Sequence, residues 1–287
     1  MENQWPDTPI ANAAKQAAAI RERNVKPFPK PATTRIITVA NQKGGVGKTT
    51  STVNLAAGLA LGGMKVLAID LDPQGNASTA LGAPHTSGTN SIYEVLIGEI
   101  PLAMATVTST FSENLEVVPA TLDLAGAEIE LVSMVRREYR LHDALLGAVG
   151  AYDYVIIDCP PSLGLLTINA MTAAHEVLLP IQCEYYALEG VSQLLNNIQM
   201  IHDNLNDTLT ISAILLTMYD RRTNLSNEVA EEVRGHFGDA VLTTVIPRNV
   251  RVSEAPSYGQ TVLDYDPGSP GAAAYMAAAR ELAEKGA

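Results

Sequence analysis

The stretch Gln42–Thr50, QKGGVGKTT, decides how the rest of the chain is read. A phosphate-binding loop ordinarily runs Gly, four residues, Gly-Lys-Ser/Thr. The second half is present in Gly47-Lys48-Thr49, but Gln42 stands where the first glycine belongs, followed by a second lysine, Lys43. Ahead of the loop, RIITVAN (35–41) reads as a strand; behind it, Thr49–Leu61 reads as a helix. Strand, loop and helix are the context such a motif needs. Gly44, Gly45 and Gly47 let the backbone turn so that successive N–H groups point at phosphate oxygens, and the helix N-terminus adds partial positive charge. Lys48 then reaches the β- and γ-phosphates, and the Thr49 hydroxyl ligates Mg²⁺. The competing reading, a glycine-rich turn with a chance lysine, leaves the flanking strand and helix unexplained.

Working outward, short apolar runs alternate with helical segments. KVLAID (65–70), LEVVPA (115–120), YDYVIID (152–158), EVLLPIQ (176–182), ISAILLT (211–217) and AVLTTVI (240–246) read as strands. Several are continuously apolar, as expected of parallel strands covered on both faces. Leu188–Leu205 and Asn227–Phe237 read as helices between them. This alternation predicts an α/β fold: a single doubly wound, mostly parallel sheet with helices on both faces. The body is expected over residues 35–287. Residues 1–34 read as a flexible extension, with a short Ala-rich helix over Ile10–Arg23 and a proline-rich linker, NVKPFPKP (24–31).

Composition narrows the class. With 47% hydrophobic residues, a chain of 287 residues can bury a sizeable core, which excludes global disorder. Two cysteines, Cys159 and Cys183, are too few for a disulfide framework and lack metal-site spacing. No apolar run is long enough to span a membrane, and the start MENQWPD lacks a signal peptide's apolar stretch, so a cytoplasmic location is expected. The net charge of −12 argues against broad contact with nucleic acid. It is uneven: residues 1–35 carry +3 and the remainder −15. Any DNA-binding surface must be a local patch on an acidic body.

Carboxylates belong at neighbouring strand ends, where α/β sheets collect ligands. Asp158 ends YDYVIID, the position of a metal-holding carboxylate; Asp70 and Asp72 lie at the end of KVLAID, in DLDPQGN. Each could separately be a turn or cap residue. Taken with the loop, NQKGGVGKTT, VLAIDLDPQGN, YDYVIIDCPPSLG, PIQCEYYALEG and TVIPRNVRVSEAPSYGQ resemble the ParA/Soj chromosome-partition ATPases, in order, from about Arg35 onward. The loop is similar to the deviant Walker A form shared with MinD and nitrogenase iron proteins.

The resemblance implies a P-loop NTPase that hydrolyses ATP with Mg²⁺. Lys43 to Thr50, including Val46 and Thr50, form the ATP-binding loop, and Lys43 crosses a dimer interface to the phosphates of the partner's nucleotide. Asp72 positions the attacking water, Asp70 supports that switch or the metal shell, and Thr49 and Asp158 serve the metal. Pro247 and Asn249 hold the adenine ring. Family members bind DNA without sequence preference through basic residues, which fall here on Arg222 and Arg251 first, then Arg221 and Arg248; a solvated surface with arginines paired to Asp220 and Glu254 is the plainer alternative.

The implied function is ATP-dependent segregation of a chromosome or plasmid. An ATP-sandwich homodimer holds non-specific double-stranded DNA on the nucleoid and lets go after hydrolysis stimulated by a ParB-type centromere-binding protein. A polar scaffold protein is a further possible partner of the extension. The alternative is a MinD-like ATPase recruited to membranes. That family ends in a basic amphipathic helix, whereas AAAYMAAARELAEKGA (272–287) holds two Glu, one Lys and one Arg, a poor anchor. VVPATLDLAGAEIEL (117–131) also matches the partition family, although an amphipathic core helix explains its pattern equally well.

Overall fold

The computed structural model describes residues 8–185 and 189–286. Eight strands form one sheet: β1 (Arg35–Val39), β2 (Val66–Asp70), β3 (Val107–Thr108), β4 (Leu115–Val118), β5 (Tyr154–Asp158), β6 (Glu176–Gln182), β7 (Thr210–Tyr219) and β8 (Val241–Pro247). Their order is β3-β4-β2-β5-β1-β6-β7-β8. Every pairing is parallel except β3 with β4. Strand β3 is a two-residue antiparallel edge without any apolar run to announce it.

Alternate residues of each central strand face opposite layers. Ile37 and Val39 of β1 join one core cluster with Val66 and Ala68 of β2, while Ile36, Leu67 and Ile69 join the other. The first layer is built by the helices Lys48–Leu61 and Pro270–Lys285; the second by Leu165–Ala173, Glu189–Asn204 and Asn224–Phe237 with shorter helices. Both faces are therefore dry, which is why these strands are apolar throughout. Each fully buried Leu or Ile contributes about 1.5–3 kcal/mol relative to exposure.

Several boundaries differ from expectation. The helix foreseen from Asn227 begins at Asn224, because the Thr223 hydroxyl accepts the Ser226 N–H and caps it. The expected helix start at Leu188 lies outside the described residues, and the helix there is described from Glu189. Within 117–131, strand β4 ends at Val118 and a helix runs Leu124–Val132, burying Leu124, Ala127 and Leu131.

The described part of the extension lies against the body. The helix Pro9–Arg21 is capped by Thr8 and stops where Arg23 takes φ +54. Phe28 is buried; its N–H donates to the Gly62 carbonyl at 2.9 Å. A Cβ on Gly62 would meet the Phe28 ring at 2.4 Å, so only glycine leaves room for it. The Arg280 guanidinium covers that ring at 4.5 Å. Lys30 pairs with Asp153 at 3.0 Å, and the Thr34 hydroxyl donates to the carbonyls of Val149 and Tyr152.

Candidate nucleotide site

The chain leaves β1 at the centre of the sheet, between β5 and β6, and forms the loop at the carboxyl end of the strands. Connections diverge there: the helix after β1 leads to β2 on one side, while β6 lies on the other. This is the crevice in which open α/β sheets bind ligands. Asn41 braces the loop from below, donating to the Pro180 carbonyl at 2.8 Å and accepting the Lys43 N–H at 3.0 Å. Thr217 of β7 donates to the Val46 carbonyl at 2.8 Å, and Val46 itself is buried.

Gly45 and Gly47 take φ +74 and +88, in the left-handed region that favours glycine. Gly47 is the N-cap of the helix, which begins at Lys48 and so leaves its first N–H groups without intrahelical acceptors. They face a recess of about 250 Å³ lined by Gly44, Gly45, Gly47, Lys48, Thr49, Thr50, Asp72, Pro161 and Met218. The two lysines have opposite surroundings. Lys48 is buried and its Nζ donates to the Lys43 carbonyl at 3.2 Å, whereas the Lys43 side chain is exposed. Burial lowers the Lys48 pKa, with the charge of Asp158 acting against that fall.

Asp70 and Asp158 are direct neighbours at the ends of β2 and β5. Burial pushes both carboxyls above the ordinary range, and at Asp158 the charge of Asp70 adds to the rise. Their roles separate by hydrogen bonding. Asp70 accepts the Asp72 N–H on one oxygen and both the N–H and hydroxyl of Ser78 on the other, so it ties down its own turn. Asp158 accepts the Thr52 hydroxyl at 3.0 Å through Oδ1, and its buried Oδ2 has no hydrogen-bond partner. An orphaned carboxylate oxygen beside the Thr49 hydroxyl is a donor set that suits a hard divalent cation. Asp158 and Thr49 thus fit a metal shell, while both oxygens of Asp70 already accept hydrogen bonds from its own turn.

A second recess of about 110 Å³ shares Gly47 and Thr50 with the first and is walled by Pro247, Asn249, Ile246, Val252 and Tyr275. The fold thereby brings Pro247 and Asn249 next to the loop, some two hundred residues away in sequence. Met218 lines both recesses with φ +51, at an irregularity in the β7–β8 pairing. Asn41, Thr52, Thr217, Met218 and Pro161 were not singled out from sequence: each acts through contacts between elements, which no local pattern records.

Arg221, Arg222 and Arg248 converge on a neighbouring recess of about 690 Å³; Arg251 sits beyond Asn249 on the helix Val250–Glu254. Three of the four are paired. Arg222 holds Asp220 at 2.8 Å, Arg248 holds Glu184 at 2.5 Å, and Arg251 holds Glu254 at 2.9 Å and Asp266 at 3.4 Å. Arg222 and Arg251 are thus engaged as the plainer reading foresaw, yet their side chains stay 82% and 53% exposed.

Fold and loop together define a P-loop nucleotide-binding protein with a deviant Walker A motif. Residues 34–211 match the AAA domain family. The chain is 54% identical over 252 residues to the sporulation initiation inhibitor protein Soj of Bacillus subtilis, spanning 88% of this chain and 99% of that one. It is 55% identical over 250 residues to the chromosome partitioning protein ParA of Caulobacter vibrioides, spanning 86% and 93%. The chain belongs to the ParA/Soj family of chromosome-partitioning ATPases. Among solved structures, cobyrinic acid a,c-diamide synthase of Mycobacterium smegmatis with bound ADP and magnesium is similar at 41% identity and TM-score 0.74, over 86% of this chain and 92% of that one. The septum site-determining protein MinD of Pyrococcus horikoshii, complexed with Mg-ADP, is similar at 30% identity and TM-score 0.69, over 88% and 95%.

Proposed function

We propose that the protein is an ATP-dependent DNA segregation ATPase whose nucleotide-bound homodimer holds DNA without sequence preference. The observation that carries this reading is the opposite setting of the two loop lysines. Lys48, buried against the loop, is suited to its own subunit's nucleotide, while Lys43, exposed at the rim, is suited to reach a neighbour's. Charge delivered across an interface can accelerate phosphoryl transfer by about 10³–10⁵.

In the proposed reaction the loop N–H groups and Lys48 grip the phosphates, and Pro247 and Asn249 flank the base. Thr49 and Asp158 would hold Mg²⁺, which neutralises charge developing on the phosphates. Asp72, half-buried on the wall of the same recess, orients the attacking water. Asp70 keeps Asp72 in place through the backbone hydrogen bond between them.

DNA retention then follows from arithmetic. Affinity falls with salt in proportion to the number of phosphates neutralised, by a slope of about −0.9 per phosphate. One subunit offers four arginines, three of them shared with carboxylates, on an acidic body. Two subunits double the patch on one surface. Hydrolysis, stimulated by a ParB-type partner on DNA, returns the protein to its weakly binding monomer, which places it in the cytoplasm and on the nucleoid.

The helix Pro270–Lys285 offers a membrane no free apolar face. It buries Ala272, Tyr275, Met276, Ala279 and Leu282 in the core, so that face is already covered. Among the described residues no helix is long and apolar enough to cross a membrane. The test is DNA retention with ATP, ADP and no nucleotide at two salt concentrations. ATP-specific retention that weakens as salt rises is expected; equal retention in all three states would refute the mechanism.

A further inference from the structure

Glu128 lies on the helix Leu124–Val132, outside every motif assigned above, and its Oε1 is out of solvent without a hydrogen-bond partner. A buried carboxylate oxygen left so is costly, and most such groups have partners. The carboxyl group is pressed against Gly164: a Cβ there would meet Oε1 at 1.8 Å and Cδ at 2.8 Å. Gly164 has φ −94, which any residue adopts, so the glycine is explained by this close approach and not by its backbone.

Gly164 is also the N-cap of the helix Leu165–Ala173, and it provides no side chain to cap it. The first main-chain hydrogen bond of that helix is donated by Ile168 to the Gly164 carbonyl, leaving the N–H groups of Leu165, Leu166 and Thr167 without intrahelical acceptors. The segment Cys159–Gly164 joins this helix to Asp158, and its Pro161 lines the phosphate recess. Further ties on the segment are the Thr167 hydroxyl, which donates to the Ser162 carbonyl at 2.7 Å, and the contact of the Thr38 hydroxyl with the Cys159 sulfur at 3.1 Å.

We infer that Glu128 is a positioning residue: its carboxylate stands where a side chain on Gly164 would stand and, without a hydrogen bond to the helix, acts on the Cys159–Gly164 segment beside the nucleotide through close contact and charge. The charge suits a helix N-terminus, where an anion is stabilised. Glu128 thereby links the outer helix Leu124–Val132 to the segment that follows Asp158 and carries Pro161. The inference rests on the ATPase reading of the site.

The test is a cycle of Glu128→Ala, Gly164→Ala and the double variant, with Glu128→Gln and Glu128→Asp beside it. Turnover is counted per bound nucleotide, so that unfolded protein does not enter. Glu128→Gln and Glu128→Ala are expected to lower kcat by about 3- to 10-fold with nucleotide affinity within about twofold, the scale of one helix-terminus interaction. Glu128→Asp should recover part of the loss. Gly164→Ala should act by displacing the carboxylate, so its effect on kcat should largely vanish in the Glu128→Ala background. Without nucleotide, amide exchange at residues 164–167 should quicken by about threefold or more in Glu128→Gln.

Unchanged turnover and exchange in Glu128→Gln, or additive effects in the cycle, would overturn the inference while leaving the ATPase reading intact. A wild-type protein that binds nucleotide but never turns it over would overturn that reading, and the inference with it.

Discussion

Lys48 and Asp72 border one recess but differ in what their removal should do. Lys48 is buried with its ammonium turned into the loop, so Lys48→Ala takes away a charge that nothing nearby replaces. Nucleotide affinity should weaken by about 100-fold, the upper range for a hydrogen bond to a charged group, as read by equilibrium titration. Asp72→Ala should keep that affinity and lose turnover by about 10²-fold or more, the scale of a positioned catalytic carboxylate. Wild-type turnover in Asp72→Ala would remove Asp72 from the reaction. The loop and its two lysines were legible in sequence because spacing alone identifies them. The orphaned Oδ2 of Asp158 and the occupied oxygens of Asp70 were not, since both depend on Thr52 and Ser78 arriving from other positions.

Among elements, the join between β1 and β6 carries a buried ion pair whose pH response can be worked out. Arg35 meets Glu176 with two hydrogen bonds of 2.7 Å, and their side chains are only 11% and 14% exposed. Burial alone would raise the Glu176 pKa, but the hydrogen bonds and charge of Arg35 carry it below its ordinary value of 4.5. A carboxylate depressed in the folded state adds stability that is present above its unfolded pKa and lost as pH falls through the folded one. Unfolding free energy should therefore decline below about pH 4.5, and Glu176→Gln should flatten that part of the profile. The extension is tested at the same scale. Phe28→Ala empties the space over Gly62 and should cost about 3 kcal/mol in denaturant unfolding. A cost under about 0.5 kcal/mol, the usual surface value, would mean that the extension adds nothing to the fold. The proline-rich stretch suggested a loose linker because nothing local shows that Phe28 meets a glycine at the far end of the helix Lys48–Leu61.

For the whole molecule, the proposed mechanism makes association the decisive variable, because the surface is acidic. A body carrying −15 outside its first 35 residues repels DNA, and the arginines that could offset this are mostly shared with Asp220, Glu184, Glu254 and Asp266. Lys43→Ala should leave nucleotide binding by the monomer within about threefold, because an exposed charge contributes little within its own subunit. The same variant should abolish the ATP-dependent dimer in sedimentation and, with it, DNA retention. Arg251→Glu should dimerise normally and still fail to hold DNA. Retention by a strictly monomeric Lys43→Ala protein would separate DNA binding from association and refute their coupling.

The sequence alone determined the strand–loop–helix unit, the doubly wound sheet and the order of the family motifs, because hydrophobic periodicity and glycine spacing are local properties. Only the tertiary structure decided the rest. It joined Pro247 and Asn249 to the loop, gave Asp70 and Asp158 different hydrogen-bond partners, seated Phe28 on the body and set Glu128 against Gly164. Those facts depend on which partners close packing brings within hydrogen-bonding distance. QKGGVGKTT announces two lysines; the fold buries one and leaves the other facing outward.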